Sequence, residues 1–174
     1  MVETQRLTGM RPGEVLIMRG RDLNTSGAVW EFRPSRHKNE HRRKERIVFI
    51  GKQCQEILQP FLRTDLDGFL FSPSPDGAKP YRRDSYTQAI ARGIQKANAH
   101  ARKQAEKLQA DPDFISEIPH WSPNQLRHNF ATTARREFGI EAARVTLGHT
   151  SAATSEIYAE LDHDKARAVV AKIG

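Results

Sequence analysis

The sequence is poor in the features that build cross-linked or membrane-embedded folds. Cys54 is the single cysteine among 174 residues, so the chain offers no internal disulfide and no thiolate metal cluster. A lone thiol is typical of the reducing cytosol, and we expect a cytoplasmic protein. No apolar run approaches the ~20 residues of a transmembrane helix. Without a convincing cluster of carboxylates or of cysteine and histidine, we also expect no metal site.

Negative charge is in deficit. The chain has 28 Lys and Arg against 21 Asp and Glu, which gives a formal net charge of +7 at pH 7. Such a balance favours a polyanionic partner, most simply nucleic acid. Net charge is a weak signal, however, and a merely soluble basic protein fits it equally well. The length is that of one ordinary domain.

The first half of the chain predicts short helices beside a small sheet. Gly9 is a typical helix stop, and Pro12 suits the first turn of the next helix. Trp30 and Phe32 alternate with charged residues, as in a half-buried strand. The predicted elements are helices over Met1–Leu7, Pro12–Arg19 and Gln53–Leu62, and strands over Ala28–Arg33 and Glu45–Ile50, which form a two-stranded sheet with a long basic turn.

The second half predicts longer helices. Ser122, Pro123 and Gln125 form a capping box that begins a helix running to Phe138. Its expected core stripe has apolar residues at four-residue spacing: Leu126, Phe130, Ala134 and Phe138. Further helices are predicted over Asp84 to about Leu108, Glu141–Leu147, Ala152–Ala159 and Asp162–Ile173. The second half of the helix that begins at Asp84 should be exposed or lie over DNA.

Several side chains suit attack on a phosphodiester. That reaction needs a nucleophile, cations on the non-bridging oxygens and a proton for the leaving oxygen. Arginine suits the second task because its fork binds phosphate bidentately. Arg11 begins a short helix, and Arg127 shares a helix face with Asn124 at i, i+3 spacing. Taken singly, each arginine also fits a solvated surface charge, and Tyr158 fits a core tyrosine.

The joint order of five segments resembles the tyrosine recombinase (phage integrase) family over nearly the whole chain. The segments are Thr8–Glu14, His37–Asn39, Leu126–Thr132, Leu147–Ser151 and Thr154–Tyr158. One such motif is weakly specific, whereas five in family order are highly specific. The resemblance implies the family's catalytic domain, which is mainly α with a small antiparallel β-sheet (α+β). It also implies cleavage and rejoining of DNA strands without metal or cofactor.

The resemblance further implies a role for each matching residue. Arg11 and Arg127 would clamp the scissile phosphate, and Glu14 would support the first of them. His149 would hydrogen-bond the phosphate. Tyr158 would be the nucleophile, forming a 3′-phosphotyrosyl link and freeing a 5′ hydroxyl.

The leaving 5′ oxygen needs an acid, and the basic turn between the predicted strands supplies the candidates. Lys38 resembles the family's lysine in this turn. Lys44 is a second candidate, because it lies nearer the returning strand. Contacts to DNA are expected from the basic residues of the turn, namely Arg36, His37, Arg42, Arg43 and Lys44.

Asn124 departs from the family pattern, which usually has histidine three residues before the second arginine. Asparagine can donate a hydrogen bond to phosphate but cannot relay a proton near neutral pH. Another group would then take the proton of Tyr158, and His128, His120 and water are the alternatives. The departure concerns the rate of the reaction more than its type.

We expect residues 1–174 to form a single catalytic domain with a truncated N-terminal edge, because family members generally carry an upstream helical domain that closes around DNA. Binding should be weak without those contacts. The implied partner is double-stranded DNA in the nucleoid, bound by a homotetramer that dissociates to monomers when free. Two alternatives stay open: a non-catalytic DNA-binding remnant, and a nicking enzyme that resembles type IB topoisomerases.

Overall fold

The computed structural model describes residues 1–35, 46–109 and 115–148. Within these ranges six α-helices accompany a three-stranded antiparallel sheet. The helices are α1 Val2–Thr8, α2 Pro12–Leu16, α3 Lys52–Leu58, α4 Arg83–Lys107, α5 Pro123–Phe138 and α6 Ile140–Leu147, and the strands are β1 Leu23–Asn24, β2 Trp30–Phe32 and β3 Val48–Ile50. This arrangement confirms the predicted mainly α fold with a small antiparallel sheet.

The sheet has one strand more than the sequence pattern predicts. β2 pairs with β3 so that Trp30 lies opposite Ile50 and Phe32 opposite Val48. On the other edge of β2, Leu23 of β1 also lies opposite Phe32. Two residues are too few to show the alternation that marks a strand. The prediction of a two-stranded sheet is therefore wrong in its number of strands.

The hydrophobic core joins the sheet to the helices of the first half. Alternation along β3 buries Val48 and Ile50 and leaves Phe49 exposed, as a half-buried strand requires. The side chains that are fully buried in this core include Met10, Val15, Met18, Phe32, Ile50 and Leu58. Each such side chain contributes about 1.5–3 kcal/mol by leaving water. The core therefore fixes α1 and α2 against the sheet.

Helix α2 ends earlier than predicted. It stops at Leu16 instead of Arg19, because the next residues pair with a distant segment. Arg19 forms an antiparallel bridge with Phe69, and the N–H of Leu70 donates to the carbonyl of Met18 at 2.9 Å. Pairing with the segment around Phe69 thus takes these residues out of the helix.

Helices α3 and α4 differ from their predicted limits by smaller amounts. α3 ends at Leu58, and a 3₁₀ turn covers Gln59–Phe61. Pro60 has no N–H to continue the α-helical ladder to the predicted end at Leu62. α4 begins at Arg83, one residue before the predicted start at Asp84, and in this helix no described residue beyond Ile90 is buried. The predicted exposure of its second half is confirmed.

Helix α5 begins and ends as predicted, but its buried face is rotated. The N–H of Ser122 donates to Oε1 of Gln125 at 2.6 Å, which completes the capping box. Phe138, a predicted core residue, is 73% exposed. Four-residue steps drift by about 40° each around a helix of ~3.6 residues per turn. The residues that α5 buries are Pro123, Arg127, Ala131 and Ala134.

Helix α6 ends at Gly148, whose φ of 65° lies in the left-handed region that favours glycine. The predicted helices over 152–159 and 162–173 lie outside the described residues. Among the helices that the structure does describe, none is both long and apolar enough to cross a membrane.

Candidate active site

Arg11 lies at the tight junction between α1 and α2. Gly9 ends α1 with a φ of 63°, and a Cβ at this position would lie 2.4 Å from Cδ1 of Phe130. Only glycine therefore lets the junction pack against α5. Arg11 caps α2 in an extended conformation, and its side chain is 24% exposed. Part of the side chain thus stays accessible.

Glu14 holds Arg11 at two points. The backbone N–H of Arg11 donates to Oε2 of Glu14 at 2.8 Å, and Nη1 of Arg11 donates to Oε1 at 2.8 Å. Burial raises the pKa of Glu14, but the charge of Arg46 and the hydrogen bonds and charge of Arg11 together outweigh burial and hold the pKa below its ordinary value. The structure thus brings Glu14 and Arg11 together, and their roles toward a phosphate stay predictions.

Arg127 joins three segments beside this junction. Its Nη1 donates to the carbonyl of Gly9 at 2.7 Å, and its Nη2 donates to the carbonyl of Leu147 at 2.9 Å. The residue is only 5% exposed. Arg127 therefore ties α5 to the turn that precedes Arg11 and to the end of α6, just before the predicted phosphate ligand His149.

Arg46 is a residue of this site that the sequence analysis missed. It is 5% exposed, and its Nε lies 3.5 Å from Oε1 of Glu14. Its Nη1 donates to the carbonyl of Thr146 at 3.0 Å. Burial lowers the pKa of Arg46 from its ordinary value, although arginine stays charged. One signal was available: Arg46 has the same strand parity as the buried Val48 and Ile50.

Asn124 and Arg127 do not share one environment. Arg127 is buried, whereas Asn124 is exposed, and Nδ2 of Asn124 lies 3.1 Å from Nε2 of His128 on the next turn. Residues at i, i+3 differ by about 60° around a helix, which is enough to separate the core from solvent. His120 is exposed ahead of α5. The roles considered for these residues in proton transfer stay predictions.

Two of the three tyrosines lie in the described part of the chain. Tyr86 is 3% exposed, and its hydroxyl donates to Oε1 of Gln5 at 3.1 Å. Burial raises the pKa of Tyr86 to about 12, which disfavours the phenolate. Tyr81 is partly buried against the core. Tyr86 is thus unsuited to nucleophilic attack, which favours the choice of Tyr158 made from the sequence.

The other predicted site residues lie outside the described ranges. They are Arg36, His37, Lys38, Arg42, Arg43 and Lys44 of the basic turn, together with His149 and Tyr158. Across residues 1–35, 46–109 and 115–148, no group of three or more His, Cys, Asp and Glu side chains could hold a metal ion.

The described part of the site is suited to an anion. Arg11 and Arg46 both pair with the single carboxylate of Glu14, and Arg127 bonds to the carbonyl of Gly9 in the same junction, so positive charge is in excess in a largely buried place. Buried charge needs a compensating partner. Arg11 is the most exposed of the three and can offer its outer face to a ligand. A phosphate oxygen has the charge and geometry that a guanidinium binds.

The fold is that of the tyrosine recombinase catalytic domains. It is similar to the transposon Tn1549 integrase in complex with transposon right end DNA, with a TM-score of 0.73, 16% identity, and coverage of 99% of this chain and 57% of that chain. It is also similar to XerH recombinase bound to its difH substrate, with a TM-score of 0.64, 19% identity, and coverage of 97% and 44%.

The sequence places the chain within a family. The family model described as "Phage integrase family" matches residues 1–165, and the chain belongs to this family. Tyrosine recombinase XerD of Xanthomonas campestris pv. campestris is 31% identical over 119 residues, which cover 66% of this chain and 34% of the relative. Tyrosine recombinase XerC of Yersinia pestis is 29% identical over 165 residues, which cover 93% and 47%. The chain thus spans less than half the length of these curated relatives.

Proposed function

We propose that this chain is the catalytic domain of a site-specific tyrosine recombinase, which cleaves and rejoins duplex DNA through a 3′-phosphotyrosyl intermediate. The observation that carries the proposal is the arginine arrangement at the junction of α1 and α2. Arg11 is fixed by the buried Glu14 and keeps an accessible face, and Arg127 is tied to the same junction. Family membership supports the reaction, and the DNA-bound structural neighbours support the substrate.

The proposed reaction exchanges one phosphate ester for another. The phenolate of Tyr158 attacks the scissile phosphorus. A bond forms between the phenolate oxygen and phosphorus, and the bond between phosphorus and the 5′ oxygen breaks. Arg11 and His149 stabilise charge on the non-bridging oxygens. Arg127, which donates to two carbonyls, adds positive charge and positions the junction. The ester link to tyrosine preserves the bond energy, so a 5′ hydroxyl can reseal the strand.

The same proposal covers the setting of the reaction. The chain would act on double-stranded DNA in the cytoplasm, within the nucleoid. It would be a monomer when free and assemble as a homotetramer on DNA, because strand exchange requires two duplexes. Residues 1–174 would form one catalytic domain.

A covalent trap tests the proposal directly. The chain is incubated with a randomised pool of nicked duplexes, in which cleavage releases the short downstream fragment that carries the new 5′ hydroxyl, so the strand cannot reseal. Adducts are then counted on a denaturing gel. We expect an adduct with the wild type and with the matched control Tyr81→Phe, and none with Tyr158→Phe. An adduct that persists in Tyr158→Phe would show that the nucleophile is another residue, and its absence in the wild type would refute the reaction.

A modified leaving group decides between Lys38 and Lys44 as the acid. A substrate with sulfur in place of the 5′ bridging oxygen needs little protonation, because a thiolate is a much better leaving group than an alkoxide. Replacing the true acid with alanine should slow cleavage of the normal substrate by about 10²–10⁴-fold and leave the sulfur substrate nearly unaffected. Replacing the other lysine should change the cleavage rates of both substrates by the same factor. Rescue of neither variant would exclude both lysines as the acid.

The position of Asn124 favours a second candidate, a non-catalytic DNA-binding remnant. Its side chain is exposed and pairs with His128, and asparagine cannot relay a proton near neutral pH. In this case DNA binding would persist and no adduct would form. Relaxation of supercoiled plasmid without recombinant products would instead indicate a topoisomerase-like nicking enzyme.

A further inference from the structure

We propose that Arg46 is a positioning residue of this site: its buried guanidinium fixes Glu14 and the last turn of α6 relative to each other, and so sets where the chain leaves α6 toward His149. The inference rests on the proposed function and adds a residue to its machinery. Arg46 would not touch the DNA, because its side chain is 4% exposed.

Two arginines share the carboxylate of Glu14. Oε1 of Glu14 accepts a hydrogen bond from Nη1 of Arg11 at 2.8 Å and lies 3.5 Å from Nε of Arg46. The pair of Arg11 and Glu14 is neutral by itself and would attract a phosphate weakly. Arg46 restores the positive charge that Glu14 cancels, while Glu14 keeps its hydrogen bonds with Arg11.

Arg46 also contacts the end of α6. Nη1 of Arg46 donates to the carbonyl of Thr146 at 3.0 Å, one of the last carbonyls of α6, which favour a nearby cation. A Cβ on Gly148 would lie 2.8 Å from the same Nη1 and 3.2 Å from Cδ of Arg46. The turn that leads to residue 149 therefore packs directly on this side chain.

Folding alone gives a poor account of an arginine at this position. The strand parity that buries Val48 and Ile50 would suit an apolar residue at position 46. Instead, the buried Nε of Arg46 has only the long 3.5 Å ion pair with Oε1 of Glu14, and the buried Nη2 has no hydrogen-bond acceptor within the described parts of the chain. A buried guanidinium with incomplete partners usually stabilises a fold less than a hydrophobic residue of similar size. A requirement for charge beside Arg11 explains why arginine is present.

Two variants and one control test this role. Arg46→Met removes the charge and keeps the length, and Arg46→Lys keeps the charge but loses the fork. The control is Arg21→Met, whose side chain is 49% exposed and pairs with Asp67. Urea unfolding of each variant shows that it is folded under the assay conditions, and Arg46→Lys serves if Arg46→Met does not fold.

Hydrogen exchange of the free chain measures the positioning without any reaction. The N–H of Arg11 donates to Glu14, and the N–H of Gly148 donates to the carbonyl of Val145. In Arg46→Met both amides should exchange at least about tenfold faster, while the β3 amides that pair with β2 keep their rates. A merely structural role would accelerate all core amides together. Unchanged exchange at Arg11 and Gly148 would overturn the inference.

Single-turnover cleavage at saturating DNA measures the consequence. Arg46→Met should lower the rate of adduct formation by about 10–100-fold, because small misplacements of charged groups have effects of this size. DNA affinity should stay near that of the wild type, and Arg46→Lys should recover part of the rate. Wild-type cleavage by Arg46→Met would overturn the inference and leave the proposed function intact. If the wild type forms no adduct, the proposed function fails, and hydrogen exchange alone decides whether Arg46 orders Arg11 and Gly148.

Discussion

At the scale of single residues, Arg127 connects chemistry and folding. Its guanidinium donates to the carbonyls of Gly9 and Leu147 from a buried position. Arg127→Ala would leave both carbonyls without these bonds and open a cavity, so we expect a loss of about 2–5 kcal/mol in the free energy of unfolding, measured in urea. The matched control Arg136→Ala removes a side chain of the same helix that is 68% exposed. This control should change the free energy of unfolding by less than about 0.5 kcal/mol. Equal effects would contradict the structural role of Arg127.

Glu14 should make the stability of the folded protein depend on pH. Its pKa is lowered in the folded protein, because Arg46 and Arg11 together outweigh the opposing effect of burial. A carboxyl group whose pKa is lowered by folding stabilises the folded protein fully at pH values above its pKa in the unfolded chain, which is about 4.3. This stabilisation is lost as the pH falls through the lower pKa of the folded protein. Glu14→Gln should therefore be less stable than the wild type at pH 7, with a difference that narrows below about pH 4.

Urea midpoints measured from pH 7 to about pH 3 check this prediction, because the linkage acts only where the unfolded carboxyl takes up a proton. The control is Glu137→Gln, whose side chain is 49% exposed and lies on the outer side of α5. It should follow the wild type at every pH. A difference between Glu14→Gln and the wild type that stays constant with pH would show that the lost hydrogen bonds, and not the charge, account for the effect.

At the scale of elements, local signals predict where helices begin and end. The limits of α5 and the stop of α6 at Gly148 follow from capping chemistry and from glycine at a positive φ, which act over a few residues. The face that a helix buries depends on its neighbours instead. Phe138 is exposed although its spacing matched the expected stripe, because a four-residue repeat turns away from the core.

The part of the site that escaped sequence analysis depends on contacts between distant elements. Arg46 reaches the carbonyl of Thr146, which is 100 positions away. The basic composition around Arg46 resembles that of a solvated turn, so only its strand parity indicated burial. Arg11 and Glu14, by contrast, are three positions apart, and their pairing could be predicted because a short helix brings such residues together.

Helix α4 presents a basic stripe opposite its buried side. Arg92, Lys96, Lys103 and Lys107 are all exposed and lie within about 60° of one another at ~100° per residue. If DNA lies along this helix, replacing the three lysines with glutamine should weaken binding at all sequences and reduce the salt slope of log K by about one for each lost phosphate contact.

Titration of DNA binding at several salt concentrations checks the role of α4. A charge-matched control replaces exposed basic residues on other elements with glutamine: Arg6, Lys52 and Lys79. The control has the same net charge and should keep the wild-type slope. Similar slopes for both triple variants would mean that net charge, and not a contact along α4, determines binding.

At the scale of the whole molecule, hydrogen bonds between distant segments connect the first helices to α5 and α6. Nε2 of Gln5 donates to the carbonyl of Pro123 at 2.8 Å, and Oε1 of Gln5 accepts from the hydroxyl of Tyr86 at 3.1 Å. Gln5 is fully buried, so one side chain of α1 joins α4 and the start of α5. Arg127 makes a corresponding link one turn further along α5, and Arg46 makes one at the end of α6.

These links predict that the described part of the chain unfolds as one unit. Trp30 on β2 and Trp121 before α5 both pack against the same core, so the variants Trp121→Phe and Trp30→Phe each leave a single fluorescent probe. Their urea transitions should coincide with each other and with the loss of helical circular dichroism. Adding Gln5→Leu to each variant should lower the free energy of unfolding by about 1–3 kcal/mol, because buried polar groups lose their partners. The urea transitions of both probes should shift equally. If only the Trp121 transition moved, α5 would unfold apart from the sheet, and a phosphate clamp that depends on both would require DNA to assemble it.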